Sequence, residues 1–222
     1  MPRHRVVAAV AAAVLLTTAL SADAGLFDRR TRGDGELETV AFDLPECRRV
    51  TLRCGLDVHV TLGDRQSVQL TVDGNLVRLY DLEVRDGALV IDADGSPRPS
   101  RGAGLDLVLT SLDRLEVEGA GDIVIDDYRG DDLELVIDGA GDLDIDGEAG
   151  RLNVTVNGAG DIDARRLIAR EVVVRVNGAG DVDVYASDTA DVTINGVGDI
   201  DVYGDPAEFT RSVAGLGSID RR

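Results

Sequence analysis

From Arg49 onward apolar and polar residues alternate. Val50, Leu52, Leu56, Val58, Val60 and Leu62 are apolar with mostly polar residues between them, and Val68, Leu70 and Val72 repeat the pattern. A two-residue period sends successive side chains to opposite faces, so these segments read as half-buried β-strands. Asp86-Gly87 sits between the alternating runs of "LEVRDGALVI" and predicts a two-residue hairpin. Residues 93–104, "ADGSPRPSRGAG", read as a loop, and no segment carries helical periodicity. The chain is therefore predicted to be all-β.

Beyond residue 112 the alternation becomes a repeat. "VEGAGDIVI" from Val117 returns as "IDGAGDLDI" from Ile137, "VNGAGDIDA" from Val156, "VNGAGDVDV" from Val176, "INGVGDIDV" from Ile194 and a decayed "VAGLGSIDR" from Val213. Successive first glycines, Gly119, Gly139, Gly158, Gly178, Gly196 and Gly215, are spaced 20, 19, 20, 18 and 19 residues apart. One such unit cannot enclose a core, but stacked units can, each covering its neighbour's apolar layer. The simplest object that meets this demand is a single-stranded β-helix, or β-solenoid, of about six turns with a period near 19 residues. Like positions then form columns. Val117, Ile137, Val156, Val176, Ile194 and Val213 make one aliphatic column, and Ile123, Leu143, Ile162, Val182, Ile200 and Ile219 make another. Asn157, Asn177 and Asn195 predict an amide ladder from turn to turn. Glycines are expected where a bend would be obstructed by a Cβ, and the alanines between them look chosen for smallness.

The first 24 residues combine a basic start, an apolar run from Val6 to Leu20 and an Ala22-Asp23-Ala24 cleavage pattern, which reads as a secretory signal peptide. Residues 25–38 are polar and read as a flexible leader. The domain is then 39–222, with N-terminal strands over 39–112 and the repeats over 113–222. No later run reaches the roughly 20 apolar residues of a membrane helix, so no integral membrane segment is expected after cleavage. The localisation expected is export, to the periplasm, the cell surface or the medium. The formal charge is −19 and every basic side chain is arginine, which argues against nucleic acid and anionic membrane as partners. An exported chain is permitted disulfides. Cys47 and Cys54 would lie about 23 Å apart if extended, so a bridge requires a bend between them. "CGL" at 54–56 supplies one, leaving both a disulfide and a pair of reduced structural thiols open.

The recurring "GAGD" with its apolar flanks, the preceding "VTLRCGLDVHVTLGDRQSVQLTVDGNLVRLYDLEVRDGALVI" and the closing "DVYGDPAEFTRSVAGLGSID" resemble the putative auto-transporter adhesin, head GIN domain family. The resemblance covers the chain from about Val40 to its C-terminus. It implies a bacterial, exported β-helix protein with an adhesin-type role, and it supplies no catalytic residues to carry over.

The candidate chemistry lies in two acidic columns. Asp122, Asp142, Asp161, Asp181 and Asp199 share one position, ending in Ser218, and Asp144, Asp163, Asp183, Asp201 and Asp220 share another. At turn spacings of ~4.8 Å, adjacent carboxylates repel by about 0.9 kcal/mol in water and roughly 3.5 kcal/mol at an effective dielectric of 20. Solvation, hydrogen bonds from bend amides or bound cations must relieve this. Asp142, Asp161, Asp181 and Asp199 are accordingly the candidate calcium ligands. Against calcium, the nonapeptide calcium repeat puts Asp where this chain has Ile, Leu or Val. No other cofactor is indicated, since "GAGD" lacks both the third glycine and the following helix of a dinucleotide loop. A carbohydrate-active enzyme using stacked Asp residues such as Asp161 and Asp181 is the catalytic alternative, because glycosidase carboxylates sit about 5 to 9 Å apart. His59 lies on the polar phase of its strand and reads as an exposed strand residue rather than a catalyst. Arg165, Arg166, Arg170 and Arg175 form a local basic group, with Arg170 and Arg175 expected to pair with acids on adjacent turns. The leading function is a non-enzymatic envelope or extracellular module with a protein or glycan partner, and a calcium-stabilised surface module is the other non-catalytic alternative.

Overall fold

The computed structural model describes residues 31–222. The signal-peptide segment 1–24 and the first part of the leader lie outside these residues. The described chain forms fifteen strands: β1 (Leu37–Phe42), β2 (Arg49–Leu52), β3 (Asp57–Leu62), β4 (Ser67–Asp73), β5 (Tyr80–Arg85), β6 (Ala88–Ala93), β7 (Gly104–Leu109), β8 (Arg114–Val117), β9 (Ile123–Ile137), β10 (Leu143–Val156), β11 (Ile162–Val176), β12 (Val182–Ile194), β13 (Ile200–Tyr203), β14 (Glu208–Val213) and β15 (Ile219–Arg221). A short 3-10 turn, Val77–Leu79, joins β4 to β5.

The repeats coil as the sequence predicts. β9, β10, β11 and β12 stack in parallel, each over its predecessor, and every "GAGD" forms a bend that carries the chain into the next coil. The register is that of the repeat: Leu143 lies between Ile123 and Ile162, and Val156 between Ile137 and Val176. Both aliphatic columns face the core and are buried, apart from Val213 in the last coil, which is 46% exposed. The six bends of the repeat bound about five complete coils.

The N-terminal region completes the solenoid in a way the alternation alone does not reveal. β2 runs parallel between β6 and β8, and β3 runs parallel between β7 and β9. Gly55 therefore heads the column that continues through Ala120, Ala140, Ala159, Ala179, Val197 and Leu216. "LRCGLDV", residues 52–58, is an earlier coil with a degenerate bend, separated from the next by residues 59–116. The Asp86-Gly87 hairpin forms as expected between β5 and β6, with both residues at positive φ (52° and 75°), as a type I′ turn requires. β1, β4 and β5 run antiparallel to their neighbours and close the N-terminal end. In the last coil, arginines take inward positions: Arg211 follows Val192, and Arg221 follows Val202. Arg211 donates to the Ile219 carbonyl across the coil at 2.8 Å.

The described part of the leader, residues 31–38, is held against this cap. Arg32 pairs with Arg98, β1 begins at Leu37, and the Gly35 amide donates to Asp73 Oδ1 at 2.7 Å. Asp73 is the one fully buried charged residue among those described. It also receives the Ser100 amide at 2.7 Å and the Ser100 hydroxyl at 2.6 Å, so one carboxylate ties the leader and the 94–103 loop to β4.

The bend glycines answer a demand sharper than turning. A Cβ on Gly139, Gly158, Gly178 or Gly196 would lie 1.9 to 2.0 Å from the carbonyl oxygen of the first glycine in the coil beneath. The residue between the glycines is under no such pressure. Its side chain points to solvent, which is why Val197 (53% exposed) and Leu216 (72% exposed) stand where earlier coils have alanine. Smallness there is not required, contrary to the sequence-based expectation. Gly178→Ala is expected to destabilise the fold by at least about 3 kcal/mol, since backbone must move to admit the methyl group. Ala179→Val is expected to change stability by less than about 0.5 kcal/mol. Urea unfolding of the two variants checks the contrast.

Candidate functional site

The two acidic columns lie on the outer wall and are satisfied by different partners. In the bend column the carboxylates from Asp142 to Asp199 each accept the backbone amide one coil further on. Asp142 Oδ1 accepts from the Asp161 amide at 3.0 Å, Asp161 from Asp181 at 2.8 Å, Asp181 from Asp199 at 2.8 Å, and Asp199 from Ser218 at 2.7 Å. Asp57, from the degenerate coil, does the same for the Asp122 amide at 3.1 Å. Sequence reasoning missed Asp57 because its bend lacks the paired glycines, although "GLDV" keeps the aspartate and its apolar neighbour. The four candidate calcium ligands are thus brought into one exposed column, one per coil, each engaged with backbone. Among the described residues no group of three or more His, Cys, Asp or Glu side chains is arranged to hold a metal ion.

The second column is balanced by arginine. Asp144, Asp163, Asp183, Asp201 and Asp220 are direct neighbours on successive strands. Arg166 pairs with Asp144 at 2.6 Å, Arg165 grips Asp163 and approaches Asp183 at 3.4 Å, and Arg222 pairs with Asp201 at 3.0 Å. These pairs are solvent-facing and contribute little each, but they offset the repulsion that stacking imposes. The basic group read from the sequence is real at Arg165 and Arg166. Arg170 and Arg175, expected to form the pairs, make no ion pair among the described residues.

Just before the first bend glycine of each coil runs the amide ladder. Asn195 Nδ2 donates to Asn177 Oδ1 at 2.9 Å, Asn177 to Asn157 at 2.8 Å, and Asn157 to Asp138 Oδ1 at 2.6 Å. Glu118, at the head of the column, turns instead to Arg53. His59 sits half-exposed on β3 with Nε2 2.8 Å from Asp126 and Nδ1 3.6 Å from Asp106. Cys47 and Cys54 are both buried and both carry free thiols. Burial raises both, Cys54 to about 11, which keeps them protonated at neutral pH and poor as nucleophiles. An open recess of about 530 Å³ is lined by residues that include Arg48, Arg49, Ser111 and Asp113, none of them in either column.

The titrating groups respond to these partners. Hydrogen bonds from Ser100 hold Asp73 below the ordinary carboxylate value of 3.8, bonds from Ser218 do so for Asp199, and the Arg165 guanidinium does so for Asp163. Desolvation raises Asp183, with the neighbouring Asp201 and Asp163 charges adding to it.

Fold and wall together define a capped β-solenoid with a carboxylate-rich outer surface. The chain belongs to the family described as putative auto-transporter adhesin, head GIN domain, whose model matches residues 48–206. Among solved structures, a putative adhesin from Bacteroides fragilis superposes with a TM-score of 0.69 at 21% identity, over 86% of this chain and 99% of that one. A putative lipid binding protein from Parabacteroides distasonis gives 0.53 at 21% identity, over 87% and 100%. A putative adhesin from the same species gives 0.50 at 19% identity, over 87% and 100%. At these identities the likeness is one of fold. No functionally curated protein matches the sequence.

Groups with depressed values contribute stability that is complete above the unfolded value of about 3.8 and is lost as pH falls through the folded one. Asp73, Asp163 and Asp199 act in this sense, while Asp183, raised, acts in the opposite one. The melting temperature is therefore expected to hold from neutral pH to about pH 5 and to fall below about 3.8. Asp73→Asn should lower it at neutral pH and flatten the acid limb. Thermal scans across pH on both proteins check this.

Proposed function

We propose that this chain is a non-enzymatic, exported binding module of the cell envelope or extracellular surface. The observation that carries the reading is how fully the outer wall's acids are engaged. A hydrolytic pair needs one carboxyl kept protonated beside a second that acts as base or nucleophile, at a cleft that holds the sugar. Here Asp161 and Asp181 stand exposed, each accepting a backbone amide from the next coil. Aspartates so used are part of the solenoid's own stacking. Membership of an adhesin-type family supports the binding role, and the basic, apolar and small-residue pattern of residues 1–24 supports export. The same bonds, with the arginine pairs of the second column, balance the stacked charge without a cation.

The test is retention of the purified full chain on whole bacterial cells and isolated cell-wall fractions, measured beside reducing-end release from a polysaccharide panel. Saturable retention with no released ends is expected. Turnover abolished by Asp161→Asn or Asp181→Asn would overturn the reading. A chelator is expected to leave the melting temperature unmoved, and calcium-dependent stabilisation would contradict the cation-free balance.

A further inference from the structure

The outer wall is poor in aromatic side chains, and those it has are placed together. The chain holds four tyrosines, three phenylalanines and no tryptophan. Tyr80 and Tyr128 are buried in the core. The other two tyrosines stand in one outward-facing column: β12 sets Tyr185 directly beside Tyr203 of β13, and Ile168 of β11 lies directly beside Tyr185 on the other side. Ile168 is 51% exposed, and both tyrosines are partly exposed. Three successive coils thus contribute Ile, Tyr and Tyr side by side at intervals of ~4.8 Å, beside a column of ionised aspartates.

The surroundings of this stripe are specific. Asp183 and Asp201 lie two residues before the tyrosines on the same face of their strands. Arg165 pairs with Asp163 and approaches Asp183 at 3.4 Å. Gly204 leaves room for the Tyr185 ring: a Cβ there would lie 2.8 Å from both Cε1 and Cζ. The ring therefore rests against the backbone of the next coil. The stripe is built on a parallel sheet rather than a loop, so little ordering is required when a ligand arrives.

We propose that Ile168, Tyr185 and Tyr203, rimmed by Asp183, Asp201 and Arg165, form a platform that binds a neutral polysaccharide chain. This rests on the binding-module reading and names its ligand class. Pyranose rings carry an apolar C–H face, which suits the electron-rich face of an aromatic ring, and an edge of hydroxyls, which suits carboxylate and guanidinium partners. A protein partner fits less well, because the centre of a protein interface is depleted of charged residues, whereas here ionised groups adjoin the rings directly. A polyanionic glycan is disfavoured by the formal charge of −19.

Affinity electrophoresis of the full chain in native gels containing laminarin, xyloglucan, galactomannan or dextran tests this. With no tryptophan present, the change in tyrosine fluorescence that is lost in the Tyr185→Ala/Tyr203→Ala variant gives a second readout. Retardation by at least one of the four is expected. The double variant Tyr185→Ala/Tyr203→Ala should bind at least about tenfold more weakly, a loss of about 1.4 kcal/mol. Tyr185→Phe/Tyr203→Phe, which keeps the rings, should retain most of the binding, as should Val124→Thr elsewhere on the wall. Circular dichroism of the Ala variant checks that the coils are intact. Absence of retardation by all four polysaccharides, or equal retardation of wild type and the Ala variant, overturns the proposal. Undiminished retention of the Ala variant on whole cells would sink this inference while leaving the binding-module reading in place.

Discussion

Two coils of this solenoid approach so closely at each bend that no side-chain carbon fits between them. The oxygen of one glycine occupies the place where the Cβ of the next coil's residue would be. Because that approach recurs at every bend, glycine recurs, and each coil must return to the same point in space after a nearly constant length of chain. The aliphatic columns follow from the register so fixed. Once Gly139 lies over Gly119, Leu143 must lie over Ile123, and Val156 over Ile137.

The same stacking has an electrostatic consequence. Placing identical residues one above another places identical charges one above another, and an acidic chain cannot avoid it. The fold resolves the conflict locally. Bend aspartates accept amides from the coil above, the second column is interleaved with Arg165, Arg166 and Arg222, and the position before the first glycine changes from acid to asparagine, converting repulsion into a ladder of hydrogen bonds. What remains on the wall after these demands are met is available for binding. The aromatic column is the clearest remainder, since neither stacking nor burial requires tyrosine at 185 or 203.

Much of this was legible in the sequence because a repeat exposes its own geometry. The columns, their inward and outward faces, the amide ladder and the Asp86-Gly87 hairpin all follow from residue spacing. Other features were hidden for physical reasons. "LRCGLDV" is a coil of the same solenoid, but residues 59–116 intervene and its bend has one glycine, so no spacing betrays it. Asp73 looks like any surface aspartate, and only the fold reveals that the leader and the 94–103 loop converge on it. Which arginine meets which acid depends on where each strand bulges: between β11 and β12 the register shifts after Ala164 and again after Ala169, so counting along the chain misassigns the pairs. Tyr185 and Tyr203 occupy the same place in successive repeats, but the first of these shifts hid that Ile168 joins their column, since Ile168 and Tyr185 occupy different places in their repeats.

Oxidative cross-linking measures the stacking register most directly. Ala159 and Ala179 are exposed neighbours on successive bends, directly paired across the coils. With cysteine at both positions, an intramolecular disulfide should form readily and leave the β-sheet signal intact. Cysteines at Ala159 and Val197, two coils apart, should not bridge. Failure of the first pair to close, or equal closure of the second, would mean that equivalent residues of the repeat do not lie directly above one another.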